Sequence, residues 1–148
     1  MGLIAGIHQL HYLPWLRYFE KIARCDVFVV LDNAQFVKNE WHNRNKIKDR
    51  QGARILTVPV QQHFGQSLHE TRVDIRQPWQ RKHWGAIRGA YAAAPFADRY
   101  LPELEAFYAG REYALLNSVN REMLEWFLAT LGIETRLMLL WEGGVRQG

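Results

Sequence analysis

Five apolar residues in a row, at positions 27–31, open a stretch that then turns densely polar, through Asp32, Asn33, Gln35, Lys38, Asn39, Asn43, Arg44, Asn45, Lys46 and Lys48. A short unbroken β-branched and aromatic run predicts a strand buried on both faces. Upstream, residues 3–7 predict a short strand, weakened by Ala5 and Gly6, with residues 8–13 as the turn after it. Leu16, Phe19, Ile22 and Ala23 recur at three- and four-residue spacing, the apolar stripe of an amphipathic helix that Pro14 would open. Strand, turn, helix and strand in this order make a βαβ unit. Downstream, Gln51-Gly52 reads as a turn and residues 54–60 as a strand that Pro59, lacking an N–H, places at an edge. Residues 61–68 read as a loop and 71–75 as a further strand. Pro78 would start a helix running through Trp79, His83, Trp84, Ile87 and Tyr91, and Pro102 a shorter one closed by Gly110. Leu116, Val119, Met123, Phe127 and Leu131 form the clearest helical stripe, with Gly132 as its left-handed stop. Residues 135–140 predict a last strand.

The pattern predicts one α/β domain over residues 1–148: a Rossmann-like βαβ start with a short, mixed or mainly parallel sheet flanked by helices. The last strand feeds residues 142–148 with no helix after it. Either this tail closes a sheet edge, or the chain is part of a longer fold.

Composition changes the picture little. A chain of 148 residues, 48% hydrophobic and 23% charged, is long enough and apolar enough for a real core. The single cysteine, Cys25, excludes a disulfide within the chain and reads as a buried structural thiol. The start lacks the pattern of a secretory leader, and no apolar run approaches the ~18 residues of a membrane span, so the expected location is cytoplasmic. Charge matters more. Between Lys38 and Arg54 stand six cations against Glu40 and Asp49, in a chain whose net charge is +4. Such a patch attracts phosphate, on a nucleotide, a sugar diphosphate or a nucleic acid, or else is a solvated face.

Polar groups just past the carboxyl end of a buried strand are where open α/β sheets place their ligands. If the first two strands are neighbours, His8, Gln9, Asp32 and Gln35 converge. His8 suits acid–base work or helix capping, and Asp32 suits orienting His8, binding a hydroxyl, or forming a turn. In an extended 43–48 segment, Asn43, Asn45 and Ile47 face one way and Arg44, Lys46 and Lys48 the other. The amides could read hydroxyls and Arg44 could grip a phosphate, or the segment is an edge strand guarded by charge. Which face is buried stays open. His8 and His11 have no carboxylate in the same turn to complete a ligand set, so no metal is expected. Trp79, His83 and Trp84, with Arg81 and Lys82 between them, suit either base stacking or core packing. There is no Walker loop, dinucleotide fingerprint or two-cysteine knuckle, and no cofactor is implied.

The chain resembles the WbqC-like family. The matching runs are Ile7-His-Gln, Leu13-Pro-Trp-Leu, Tyr18-Phe-Glu-Lys-Ile-Ala, Asp26-Val-Phe-Val-Val-Leu-Asp-Asn-Ala-Gln-Phe36 and Asn43-Arg-Asn-Lys-Ile-Lys48. They continue through Leu56-Thr-Val-Pro-Val60, Ile75, Trp79, Lys82-His-Trp84 and Leu131-Gly-Ile133. Two departures stand out. The family reads His-Gln-Pro at the first turn where this chain has His8-Gln9-Leu10, and its domain continues beyond the point where this chain stops. The resemblance implies a bacterial protein of O-antigen or other surface-polysaccharide biosynthesis, acting on a nucleotide-linked amino sugar and adding an acyl or aminoacyl group. The family's first turn is also loosely similar to nucleotidyltransferase-type enzymes, whose His-x-Gly-His is absent here. On this reading His8 and Asp32 are the catalytic candidates, and Gln9, Gln35, Asn43, Arg44, Asn45 and Lys46 the substrate-binding ones. The partners are a nucleotide-activated sugar and an acyl or aminoacyl donor, with no membrane. The alternatives are a non-catalytic RNA-docking module and an inactive truncated scaffold, and the oligomeric state is open.

Overall fold

In the computed structural model, which describes residues 2–141, the chain runs β1 (Ala5–His8), α1 (Leu16–Ala23), β2 (Val27–Val30), β3 (Arg44–Asp49), β4 (Gly52–Thr57), α2 (Trp79–Tyr91), α3 (Ala97–Ala109), α4 (Leu116–Leu131) and β5 (Arg136–Leu139). The α/β class is as the pattern predicts. β2 is the centre of a three-stranded parallel sheet, with β1 on one side and β5 on the other. The register sets Gly6, Phe28 and Leu137 in one row and Ile7, Val29 and Met138 in the next. Gly6 is a close-approach residue: a Cβ there would meet Cys25 Sγ at 2.6 Å and the Phe28 ring at 2.9 Å.

The expectation of a strand buried on both faces needs correcting. Phe28 and Val30 are buried, but Val27 and Val29 only half so, and Ile7 and Met138 are exposed. The covered face is packed by Tyr18, Phe19 and Ile22 of α1 and by Leu124 and Leu128 of α4. The other face carries the exposed Ile7 and Met138 and the half-buried Val27 and Val29, so among the described residues the helices flank the sheet mainly on its Phe28 side.

β3 and β4 do not extend this sheet. They form a separate antiparallel hairpin whose turn is tied by Asp49 Oδ1 accepting the Gln51 N–H at 2.8 Å. Ile47 and Leu56 of the hairpin pack with Trp79 and Ile87 of α2 and Tyr108 of α3 in a second core. α4 serves both: Leu116, Val119 and Met123 enter this core, and Leu124 and Leu128 the other. That explains why its apolar stripe is broad, and why Leu131, at the end of the predicted stripe, is left exposed.

Three further boundaries differ from expectation. Residues 71–75 make no strand but two isolated bridges, Val60 to Val73 and Arg72 to Leu115, because no continuous partner strand lies alongside. Part of the preceding loop tightens into a 3-10 turn, Leu68–Glu70, closed by a capping box between Ser67 and Glu70. Pro102 lies inside α3 rather than at its start, since the turn after Tyr91 already directs residues 96–100 into the helix. Pro14 sits one position before Trp15, the N-cap of α1. The expectation about residues 142–148 lies outside the described residues. No helix among them is long and apolar enough to cross a membrane.

Candidate functional site

The carboxyl ends of parallel strands point one way, so the residues after β1, β2 and β5 gather along a single edge. The Leu31 N–H donates to the His8 carbonyl at 2.9 Å, locking the first two strand ends side by side. His8 Nδ1 lies 3.0 Å from the Gln9 carbonyl. A carbonyl only accepts, so Nδ1 carries the hydrogen and the neutral ring keeps its lone pair on Nε2. That is the tautomer a general base needs. The ring stands edge-on to His11 at 4.7 Å and to Tyr18 at 5.3 Å. The Tyr18 hydroxyl donates to the same Gln9 carbonyl at 2.7 Å, and burial raises its pKa, keeping it a neutral donor.

Beyond His11 lies His42, with ring centroids 6.0 Å apart. Burial first, then the neighbouring His8 and His42, push His11 down to about 4. Burial is also the main cause that lowers His42. Both are therefore neutral imidazoles near pH 7. Among the described residues, His11 Nδ1 and His42 Nδ1 are buried without a hydrogen-bond partner. So is Oδ1 of Asn120, whose Nδ2 donates to the His42 carbonyl at 2.7 Å. A buried polar atom left unpaired costs about 1–3 kcal/mol. His11 and His42 stand together beside His8, so two of these orphans share one buried polar niche. Among the described residues no group of three or more His, Cys, Asp or Glu is placed to hold a metal ion.

On the other side of His8 the edge is more structural. Asp32 is buried, and its Oδ1 accepts the Trp141 N–H at 3.0 Å, fastening the end of β5 to the end of β2. Its carbonyl accepts the His69 N–H at 2.9 Å. Among the described residues Asp32 makes no hydrogen bond with His8, so the two share an edge but not a catalytic dyad. The turn-forming alternative describes Asp32 better. His69 stacks on Trp141 at 4.2 Å and directs Nδ1 to Ser67 Oγ and the Asp32 carbonyl, leaving Nε2 as its acceptor. Gln35 is exposed and bridges to Ser67 in the same loop.

The hairpin answers the question that the sequence left open. Asn43, Asn45 and Ile47 turn inward, while Arg44, Lys46 and Lys48 turn outward. The amides are occupied by backbone. Asn43 Nδ2 donates to the Val58 carbonyl at 2.9 Å, and Asn45 Nδ2 to the carbonyls of Tyr12 and Leu13 at 3.1 and 2.8 Å. Leu13 has φ 45°, a left-handed conformation that a branched residue adopts only when held. Asn45 holds it. Arg44 donates Nη2 to the Asn39 carbonyl at 2.5 Å, lies 5.9 Å over the Trp41 ring, and keeps a buried Nε that has no partner among the described residues. Lys46 is exposed and stands at a different place, the wall of an apolar cleft. Of the alternatives for Trp79, His83 and Trp84, core packing is what the fold realises: Trp79 and His83 are buried and Trp84 half-buried.

The structure thus sets His8 and the Gln9 carbonyl beside His11, gives Asp32, Asn43 and Asn45 structural bonds, and brings His42 to His11 and Asn120 to the His42 carbonyl. His11 was visible in the sequence as half of a His-x-x-His spacing. His42 and Asn120 carry no local signal, since 78 residues separate the two partners of their bond.

The model of the WbqC-like protein family matches residues 9–147. The protein named Uncharacterized protein Rv1507c, from Mycobacterium tuberculosis (strain ATCC 25618 / H37Rv), is 37% identical over 145 residues, covering 97% of this chain. The chain spans 62% of that protein's length. No solved structure matches.

Proposed function

The chain belongs to the WbqC-like protein family, and from that premise we propose that it transfers an acyl or aminoacyl group onto the amine of a nucleotide-linked amino sugar, a step suited to surface-polysaccharide assembly. The observation that carries the reading is the run of imidazoles from His8 through His11 to His42 at the carboxyl edge of the parallel sheet, with His8 Nδ1 on the Gln9 carbonyl. In the reaction, the sugar amine attacks the acyl carbon of an activated donor. A C–N bond forms, the donor's leaving group departs with its bonding pair, and His8 Nε2 takes the proton from the nitrogen. Arg44, half-buried on the outward face of the hairpin, offers its guanidinium to a phosphate oxygen.

The expected result is saturable heat on calorimetric titration with UDP- or dTDP-amino sugars, weakened about tenfold, or ~1.4 kcal/mol, by Arg44→Ala. His8→Gln is expected to keep binding while lowering transfer by at least ~100-fold. No heat across a panel of such sugars would overturn the reading.

A further inference from the structure

A second concavity lies away from the histidine niche, along the unpaired edge of β3. Its walls come from five places in the chain: Leu13 and Pro14 after β1, Lys46 and Ile47 of β3, Tyr91 at the end of α2, Phe96 to Leu104 around the start of α3, and Trp126 and Phe127 of α4. It holds about 450 Å³, within the range of small-molecule sites. The walls are aliphatic and aromatic, and no carboxylate is among them. The one charged lining residue is Lys46, which makes no ion pair among the described residues. Its surroundings are held in place from outside the cleft. Trp126 Nε1 is tied to Glu103 at 2.5 Å, the Tyr91 hydroxyl accepts the Lys48 N–H at 3.3 Å, and Asn45 clamps the left-handed Leu13. An apolar chamber with fixed walls, no anion and a single free ammonium is complementary to a ligand with an apolar body and one negative end.

We propose that this cleft binds a small amphipathic carboxylate, its acyl or aryl chain on the aromatic walls and its carboxylate on Lys46. The site is separate from the histidine niche, and the proposal stands whether or not the transfer reading holds. Burying the chain supplies the attraction and Lys46 the preference for an anion.

The test is calorimetric titration of the full chain with octanoate and with octyltrimethylammonium, which share a tail and differ in the sign of the head. One-site saturable heat with octanoate is expected, with the cation at least ~10-fold weaker. Lys46→Gln, an exposed change that leaves the fold intact, is expected to bring octanoate down to the level of the cation. Ala94→Trp, which fills the cleft from an exposed position, is expected to remove both, and Ile7→Ser, on the sheet face away from Phe28, to change neither. No saturable octanoate binding, equal affinity for the two heads, an unchanged Lys46→Gln, or loss of binding in Ile7→Ser would each overturn the proposal.

Discussion

Tyr12 joins three elements that lie far apart in the chain. His83 Nε2 is 3.0 Å from the Thr57 carbonyl, so Nε2 carries the hydrogen and Nδ1 accepts from the Tyr12 hydroxyl at 2.7 Å. The Tyr12 oxygen in turn takes the Tyr108 hydroxyl at 2.5 Å. Every member of this buried chain is satisfied only while all are present. Tyr12→Phe is expected to strand both neighbours and to cost ~1–3 kcal/mol in urea unfolding, with little change in m-value. The same chain sets an acid limit. Burial holds the folded-state pKa of His83 at about 4, against 6.5 as its ordinary value, and His11 is likewise at about 4. Above pH 6.5 both are neutral in folded and unfolded chains alike. As the pH falls below 6.5 the unfolded chain takes up protons that the folded one refuses, and stability drops until about pH 4. His83 alone accounts for ~2–3 kcal/mol of that loss. Asp74, whose carboxylate Arg76 holds down to about 2, loses its contribution below this window, as the pH falls under 3.8. Unfolding curves at pH 7.5, 5.5 and 4.5 check this; a flat profile would show that neither imidazole is buried in its neutral form.

At the scale of the element, α4 is the joint between the two cores, and how it ends decides whether β5 reaches the sheet. Gly132 adopts φ 68°, and the next N–H, of Ile133, closes on the Leu128 carbonyl at 2.9 Å. The chain then reverses into Thr135, whose hydroxyl donates to the carbonyls of Ile22 and Cys25. Gly132→Ala meets no steric neighbour but pays the left-handed penalty of an L-residue, so a loss of ~1–2 kcal/mol in thermal or denaturant unfolding is expected. This stop was legible in the sequence because glycine at the end of a helical stripe is a local signal. The inward turn of Asn43 and Asn45 was not legible. Alternation shows that two faces exist, but only packing against Val58, Tyr12 and Leu13 shows which one is buried.

At the scale of the whole molecule, the helices flank the parallel sheet mainly on its Phe28 side among the described residues. Parallel sheets are ordinarily packed on both. Phe28→Ala on the covered face is expected to cost ~3–5 kcal/mol, as deletion of a buried aromatic ring does. Ile7→Ala in the next row, on the other face, should cost under ~1 kcal/mol by the same measurement. Comparable losses at the two positions would show that something packs on the second face in solution.

The sequence by itself determined what depends on neighbours within a turn or two: the βαβ start, the apolar stripe of α4, the glycine stop, the last strand and the basic 38–54 window. Local steric and hydrophobic periodicity suffices for these, and it placed His8 at a strand end. Only the tertiary structure decided what depends on distant partners: the separate hairpin, the structural bond of Asp32 to Trp141, and the packing that brings His42 to His11 and Asn120 to the His42 carbonyl. The physical reason is that hydrogen-bond satisfaction and burial are settled by which surfaces meet, and spacing along the chain carries no record of that meeting.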